Sequence, residues 1–331
     1  MHKHHLYFVF FWAFIGSFIN SYAQKPTKNP SFEEVIARAS ASSYLRISPN
    51  GKDIAFQVRK ADWKKNRFDT EIWLSKNGGT PFQLTNSLKG NSTTPVWSPD
   101  GQWIAFVSNR NKRNQAYVIN SQGGEAFPVT NEKTGVYSLK WSPDGQKISF
   151  LTTQKKSKDI KAQEKKYGKF ALEDKVYRQA QLRYVVFNPD KLGEMPMPCP
   201  EPKKDEKSDC PKQFESKELV KSKEFTVRGY FWSPDGSKVL FNHQPNPLIN
   251  SFLKSDISVL DISTKKITSV VKNPSYDGAI DWSPDGKSIL YSSDLDNNTS
   301  NFYTNSKVFI MDLASKKSRQ IGTNVDENIN S

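Results

Sequence analysis

The sequence has few of the residues that most enzyme chemistry requires. Its 331 residues include four histidines and two cysteines, and three of the histidines, His2, His4 and His5, precede a long apolar run. The phosphate-binding patterns G-x-x-x-x-G-K-[ST] and G-x-G-x-x-G are absent, as is the nucleophile elbow G-x-S-x-G. These absences argue against a nucleotide-binding enzyme and against a complete serine hydrolase.

The remaining histidine, His243, lies in "FNHQPNP" beside a predicted strand end. A lone histidine in that setting is usually structural or exposed, and it cannot form a multi-histidine metal site. The stretch "DLDNN", Asp294–Asn298, has the look of a calcium loop but lacks the Gly and the distal Glu of the full pattern. We therefore predict no catalytic residue, no metal site and no cofactor.

The first 23 residues have the three parts of a secretory signal peptide. A short basic start precedes the apolar run Leu6–Ile19, and small residues at Ser21 and Ala23 place a cut before Gln24. A retained N-terminal anchor is the alternative, but the run of 14 residues is short for a membrane span and no cysteine for lipid attachment follows it. We predict export to the periplasm or the medium, with no stable membrane span after cleavage.

Export suits the two cysteines, Cys199 and Cys210, which bracket a proline- and charge-rich stretch. An oxidising compartment favours a disulfide between them, whereas two cysteines with no nearby histidine make a poor zinc site.

The net charge of +14 comes from lysines spread over the chain, with one dense run at Lys155–Lys166. Because no nucleic-acid-binding motif accompanies this run, we predict a solvated loop and no nucleic-acid partner.

The sequence contains a short motif, called the phrase below, that occurs five times, once as "ISPNG" and four times as "WSPDG". Its serines, Ser48, Ser98, Ser142, Ser233 and Ser283, lie 50, 44, 91 and 50 residues apart. A period of about 40–50 residues is the spacing of four-stranded β-propeller blades. The residues that mark the repeat are Trp97, Trp141, Trp232, Trp282, Gly51, Gly101, Gly145, Gly236 and Gly286.

The residues after each phrase predict the rest of a blade. A β-branched residue comes first and an aromatic follows two positions later, as in Ile104 and Phe106, so both face one side of a strand. A strand, a tight turn and a further strand come next, as in "AYVINSQGGEAFPVT". We predict an all-β protein, a β-propeller with about five legible four-stranded blades in an incomplete ring.

The interval of 91 residues has two interpretations. The stretch "FNPDKLG" near its middle faintly echoes the phrase, as a degenerate extra blade would. We favour a single blade in which "LRYVVFNPDKLGEMP", Leu182–Pro196, continues the blade of Trp141. Two insertions then explain the excess, a partly helical one near residues 155–174 and a cysteine-bracketed one near residues 199–214.

The phrase itself needs no catalytic explanation. Pro presets φ at the second turn position, Asp bonds back to the local backbone, and Gly takes the positive φ that leads into the next strand. The tryptophan ends the first strand, where its ring can fill the gap between blades while its N–H reaches a backbone acceptor. A row of ligand-stacking aromatics is the alternative, but a contact that recurs with every blade is typical of packing.

The lead "NPSFEEVIARASASSYLRISPNGKDIAF", Asn29–Phe56, and the later WSPDG blades resemble the N-terminal propeller of the prolyl oligopeptidase family of serine peptidases. The dipeptidyl aminopeptidase and acylaminoacyl peptidase branches are the most similar, over roughly residues 31–321. TolB-type propellers, with WD40-like (PD40) blades, use the same phrase.

The resemblance implies that the propeller caps an α/β-hydrolase domain and gates the entry of short or unfolded peptides. That domain carries the Ser, Asp and His of the family, and none of these positions has a counterpart here, so we expect the chain to be inactive alone. No substrate-binding residue transfers either, because Glu33 and Glu34 are better explained as the first turn of a helix capped by Ser31.

These observations divide the chain into a signal peptide at 1–23, a lead-in segment with a short helix at 24–45, blades at 46–322, and a tail or further blade from 323. Another tryptophan is due near residue 331, so we expect the front part of a peptidase. The main alternative is a stand-alone TolB-like propeller that binds proteins in the periplasm. A five-bladed enzyme with an axial site ranks last, because most aspartates lie in turns. The oligomeric state is left open.

Overall fold

The computed structural model describes residue 31 and residues 42–168, 177–194, 215–295 and 306–324 of the chain. By its internal contacts the chain separates into two compact units, Met1–Ala39 and Ser40–Ser331, and every described helix and strand lies in the second. In the described residues no helix is both long and apolar enough to cross a membrane.

The described strands form five antiparallel sheets of four, and each sheet is a blade whose strands follow one another in chain order. Blade 1 contains β1 (Ser42–Ile47), β2 (Ile54–Asp62), β3 (Arg67–Ser75) and β4 (Phe82–Gln83). Blade 2 contains β5 (Ser92–Trp97), β6 (Trp103–Ser108), β7 (Gln115–Asn120) and β8 (Phe127–Pro128). Blade 3 contains β9 (Tyr137–Trp141), β10 (Lys147–Thr153), β11 (Ala180–Val186) and β12 (Lys217–Val220).

Blade 4 contains β13 (Thr226–Trp232), β14 (Lys238–Gln244), β15 (Asp256–Asp261) and β16 (Ile267–Val271). Blade 5 contains β17 (Asp277–Trp282), β18 (Ser288–Ser293), β19 (Lys307–Asp312) and β20 (Ser318–Ile321). The predicted all-β propeller of four-stranded blades is therefore confirmed. Blade 1 starts earlier than predicted, because β1 begins at Ser42 rather than near residue 46.

The long interval in the repeat contains one blade, not two, in the described part of the chain. Strands β10 and β11 pair along their whole length, from Lys147 opposite Val186 to Thr153 opposite Ala180. The segment between them includes the helix α1 (Lys158–Tyr167), and a 3₁₀ turn, Pro189–Glu194, follows β11. A second 3₁₀ turn, Ile249–Lys254, joins β14 to β15. The predicted insertion at residues 199–214 and the predicted helix of the lead-in segment lie outside the described residues.

Each of the three middle blades buries one face against the blade before it and the other against the blade after it. Ile104 and Phe106 of β6 share a core with Ala55 of blade 1, whereas Ala105, which lies between them, shares a core with Phe150 of blade 3. The same alternation joins blade 3 to blade 4 and blade 4 to blade 5. Because burying one large apolar side chain stabilises a fold by about 1.5–3 kcal/mol, these shared cores dominate the stability of the series.

The outer faces of the two end blades lack this cover. On blade 1, Ile54 and Phe56 are only half-buried, although their equivalents in the other blades are buried, and Ile47 opposite Ile54 is 66 % exposed. On blade 5, Leu290 and its cross-strand partner Ile310 are also half-buried. Among the described residues, no strand of blade 1 is hydrogen-bonded into the sheet of blade 5, so the five blades form an open series.

Two lysines in hairpin turns provide a test of local strain. Lys265 and Lys316, in the last hairpins of blades 4 and 5, have φ values of +60° and +56°. A positive φ brings the Cβ atom of a non-glycine residue close to the backbone and so destabilises the folded state. Lys265→Gly and Lys316→Gly should therefore each raise the free energy of unfolding by about 0.5–1 kcal/mol. Urea denaturation measures the free energy of unfolding. The matched control is Lys266→Gly, which should lower the free energy of unfolding. A loss of stability from the first two substitutions would contradict the turn geometry.

Candidate functional site

The repeated phrase forms a closed hydrogen-bonded turn in every blade. In blade 4 the amide of Gly236, with φ of +71°, donates to the carbonyl of Ser233 at 2.9 Å. The Ser233 hydroxyl donates to Asp235 at 2.6 Å and accepts from the amide of Lys238 at 2.9 Å. The same side-chain bond joins Ser48 to Asn50, Ser98 to Asp100, Ser142 to Asp144 and Ser283 to Asp285. These side chains are thus occupied in holding the turns.

The turns pack against one another from blade to blade. A Cβ atom added to Gly101 would lie 3.6 Å from Cδ of Pro49 in the preceding turn. The later glycines lie in the same way beside the preceding prolines, Gly145 on Pro99, Gly236 on Pro143 and Gly286 on Pro234. Because that distance is ordinary van der Waals contact, the positive φ rather than crowding requires glycine.

Three of the four repeat tryptophans donate their indole N–H to the first strand of the preceding blade. Each acceptor is the carbonyl of the residue just before the tryptophan position of that blade. The pairs are Trp97 to Arg46 at 2.9 Å, Trp141 to Val96 at 3.2 Å and Trp282 to Phe231 at 3.1 Å. The ring thus packs in a shared core while its polar N–H is satisfied by backbone.

Trp232 departs from the predicted backbone acceptor. Its N–H donates at 2.9 Å to the hydroxyl of Ser149, which in turn donates at 2.9 Å to the carbonyl of Lys140. Lys140 is the residue before Trp141, so the hydroxyl links the indole to the carbonyl that the other tryptophans reach directly. Tyr230 also spans this joint and donates to the carbonyl of Ser138 at 2.7 Å.

We predict that Ser149→Ala destabilises the joint between blades 3 and 4. The substitution leaves the Trp232 N–H and the Lys140 carbonyl without this partner, which should lower the free energy of unfolding by about 1–3 kcal/mol. Urea denaturation of Ser149→Ala, Trp232→Phe and the double variant measures the coupling. If Ser149→Ala lowers the free energy of unfolding equally in the Trp232→Phe protein and in the unmodified protein, the hydrogen bond between Ser149 and Trp232 does not stabilise the joint.

Hydrogen bonds in the turns favour ionised aspartates. The Ser233 hydroxyl, followed by the amide of Ser237, lowers the pKa of Asp235 to about 2. The Ser283 hydroxyl likewise lowers the pKa of Asp285. A folded-state pKa below that of the unfolded chain stabilises the fold at neutral pH, and the stabilisation is lost as the pH falls from about 4 toward 2.

Asp235→Asn tests this linkage. The variant should be less stable than the unmodified protein at pH 7, and the difference should shrink as the pH is lowered toward 2 because the aspartate becomes protonated. Urea denaturation at several pH values measures it. Asp69→Asn is the control. Burial raises the pKa of Asp69, so the ionised carboxylate disfavours folding and its replacement should have the opposite effect on stability at pH 7. A difference in the free energy of unfolding between Asp235→Asn and the unmodified protein that does not change with pH would contradict the role of ionisation.

Charged residues on the first strands of three blades act on one another electrostatically. Strand β1 contacts β5, β5 contacts β9, and β13 contacts β17, so first strands of neighbouring blades adjoin in blades 1–3 and in blades 4 and 5. Burial lowers the pKa of Lys140 in blade 3, Asp281 of blade 5 opposes that shift, and Arg46 of blade 1 adds to it. We call Arg46, Lys140 and Asp281 the inner-edge cluster. Each is the residue just before the tryptophan position of its blade.

The inner-edge cluster has a partly apolar setting. The Lys140 ammonium lies 4.2 Å from the centre of the Phe231 ring, on the next blade, which favours a desolvated cation there. Two cations and one anion give the cluster a net positive charge, which suits an anionic or polar ligand. The three residues occupy one position of the repeat, just before the tryptophan position, so the sequence lines them up.

The side chain of His243 contacts a hydroxyl group and an aromatic ring. Its Nε2 pairs with the hydroxyl of Ser258 at 2.8 Å, and its ring lies 4.5 Å from that of Phe225. Burial, and to a lesser degree the charge of Lys272, lowers the pKa of His243 to about 4, so the imidazole is neutral at pH 7. Ser258 is 3 % exposed. The hydroxyl of this pair is thus buried, whereas the imidazole of His243 is half-buried.

Other candidate residues lie at the margins of the described structure. Cys199, Cys210 and residues 296–298 of the "DLDNN" stretch fall outside the described residues. Within them, no group of three His, Cys, Asp or Glu side chains is placed to hold a metal ion. The lysine-rich run forms α1, which buries none of its residues and pairs Glu164 with Lys156. The run is therefore solvated, as predicted, and it is helical, as predicted for the insertion near residues 155–174.

The seam between blades 1 and 2 contains a cavity that the sequence did not indicate. Its volume is about 590 Å³, and its walls include Leu84, Arg110, Asn111, Tyr117 and Ile119. Arg110 and Asn111 follow β6, in the turn that no repeat motif marks.

Part of the chain is similar to a known family of propeller domains. Residues 31–174 match PD40, the TolB β-propeller domain. The chain is 24 % identical over 304 residues to dipeptidyl-peptidase 5 of Porphyromonas gingivalis, and the match covers 89 % of this chain and 43 % of the peptidase.

Two solved structures have the same fold. Acylaminoacyl peptidase of Pyrococcus horikoshii superposes with a TM-score of 0.59 at 17 % identity, over 90 % of this chain and 42 % of its own. The propeller domain of the Trilobed protease of Pyrococcus furiosus superposes with a TM-score of 0.52 at 19 % identity, over 88 % of this chain and 73 % of its own. The predicted resemblance to peptidase propellers is confirmed, and the chain spans less than half the length of the two complete peptidases.

Proposed function

We propose that the chain is the non-catalytic propeller portion of an exported serine peptidase, in which it caps an α/β-hydrolase domain and gates the access of peptides. The observation that carries the proposal is the match of 89 % of the chain to 43 % of a dipeptidyl-peptidase. The signal-peptide pattern of residues 1–23 supports export.

The inner-edge cluster supports a gating role. Arg46, Lys140 and Asp281 lie on first strands, where the blades converge, and an extended peptide passing there would meet their charges. Because the cluster has two cations and one anion, acidic peptides should be favoured over basic ones. Rigid blades on either side would exclude folded chains, whereas short or unfolded peptides could enter.

Peptide binding tests this proposal on the full chain. We expect fluorescence anisotropy to show tighter binding of a labelled acidic pentapeptide than of a basic one. Lys140→Gln and Arg46→Gln should weaken binding of the acidic peptide several-fold, and Asp281→Asn should strengthen it. Lys254→Gln, on the 3₁₀ turn before β15, is the matched control for loss of one positive charge. Equal binding by all four variants would overturn a role for the cluster.

A further requirement concerns the catalytic domain. The chain alone should not hydrolyse aminoacyl or dipeptidyl chromogenic substrates, and labelling of one of its serines by a serine-directed reagent would contradict this. The reading frame that encodes residue 331 should continue into a segment with G-x-S-x-G. A stop codon directly after Ser331 in an intact gene would instead favour the second candidate, a stand-alone protein-binding propeller, which the match of residues 31–174 to the TolB domain supports.

A further inference from the structure

The cavity at the seam of blades 1 and 2 is a binding-site candidate independent of the proposed function. It lies between the end of β4 in blade 1 and strand β7 in blade 2, and its volume of about 590 Å³ is within the range of small-molecule sites. Leu84 and Ile119 supply apolar wall, while Arg110, Asn111 and Tyr117 supply polar groups. A cavity with this mixture accommodates a small ligand that has one apolar part and one polar part.

Arg110 carries a positive charge that the described residues do not neutralise by an ion pair. Its Nε donates to the Ser108 hydroxyl at 3.0 Å and its Nη2 to the Ser92 hydroxyl at 3.0 Å. None of the ion pairs in the described residues includes Arg110. Glu71 accepts hydrogen bonds from Thr85 and Ser87 and acts on Arg110 electrostatically, but it forms no ion pair with Arg110 among the described residues.

The guanidinium is held in position by neutral contacts. Its carbon lies 4.7 Å from the centre of the Tyr117 ring and 5.5 Å from that of Phe106. The two serine hydroxyls hold one edge of the fork, and Nη1 donates to none of the described residues. A planar, pre-oriented guanidinium with a free N–H edge is the arrangement that binds a carboxylate.

Tyr117 adds a second donor. Its side chain is 1 % exposed, and its hydroxyl oxygen accepts from Asn111 Nδ2 at 2.9 Å. In the described residues no acceptor takes the hydroxyl hydrogen. A buried hydroxyl without an acceptor loses free energy, which a ligand oxygen in the cavity would restore.

We propose that this cavity binds a small monocarboxylate with an apolar body, with the carboxylate on Arg110 and Tyr117 and the body against Leu84 and Ile119. The C-terminus of a short peptide and a free organic acid share this chemistry. The exposed Glu125 at the rim disfavours ligands that carry several negative charges.

Isothermal titration calorimetry on the full chain tests the proposal with N-acetyl-L-phenylalanine and with its neutral amide. We expect the acid to bind and the amide to bind at least about tenfold more weakly. N-acetyl-Ala-Ala-Phe distinguishes a peptide C-terminus from a free organic acid as the ligand. Tighter binding of this tripeptide than of N-acetyl-L-phenylalanine indicates a peptide C-terminus, and weaker binding indicates a free acid. Inorganic phosphate should bind more weakly than the acid, because it cannot use the apolar wall.

Variants identify the residues. Arg110→Gln should weaken binding of the acid at least about tenfold, and Tyr117→Phe, which keeps the ring, should weaken it several-fold. Arg59→Gln, which removes an exposed positive charge on blade 1, should leave it unchanged. If Arg110→Gln does not fold, Arg110→Lys keeps the charge and loses the fork, and it should still weaken binding. Equal binding of acid and amide, phosphate binding as tight as the acid, or full binding by Arg110→Lys and Tyr117→Phe would overturn the proposal.

Discussion

The structure depends on one constraint, which is that a four-stranded blade has two apolar faces and can cover neither by itself. The β-branched and aromatic pair of each second strand faces the blade before, and the residue between them faces the blade after. This alternation follows from the period of two in a strand. Burial is therefore shared between neighbours, and each blade is stable because the next one is present. The half-buried Ile54 and Phe56 on blade 1 show what the same side chains do without a preceding blade.

The repeated turn and its tryptophan hold neighbouring blades together through packing contacts and hydrogen bonds. Proline of one turn lies beside glycine of the next, and the indole N–H reaches the carbonyl one residue before the corresponding position in the preceding blade. Between blades 3 and 4, the Ser149 hydroxyl accepts from the Trp232 indole and donates to the Lys140 carbonyl. The polar group of every repeat tryptophan is thus satisfied at a joint that is otherwise apolar, since an unpaired N–H there would cost stability.

Packing of the blades in turn positions the charged groups that could meet a ligand. Arg46, Lys140 and Asp281 belong to the first strands of three blades, and the charges of Arg46 and Asp281 act on Lys140. Arg110 and Tyr117 lie at the seam of two blades, and the serines that orient the guanidinium come from two different strands of blade 2. In both places the repeated architecture supplies a rigid frame, and the residues that differ between repeats supply the chemistry.

The sequence by itself determined the architecture. The spacing of "WSPDG", the alternation after it and the strand–turn–strand stretches are local signals, because turns and strand periodicity depend on neighbouring residues. They were enough to predict the blades and the single blade of the long interval. Only the tertiary structure decided which residues from different blades meet. The serine link to Trp232, the inner-edge cluster and the Arg110 cavity join residues far apart in the chain, and their contacts arise from blade packing, which no local pattern encodes.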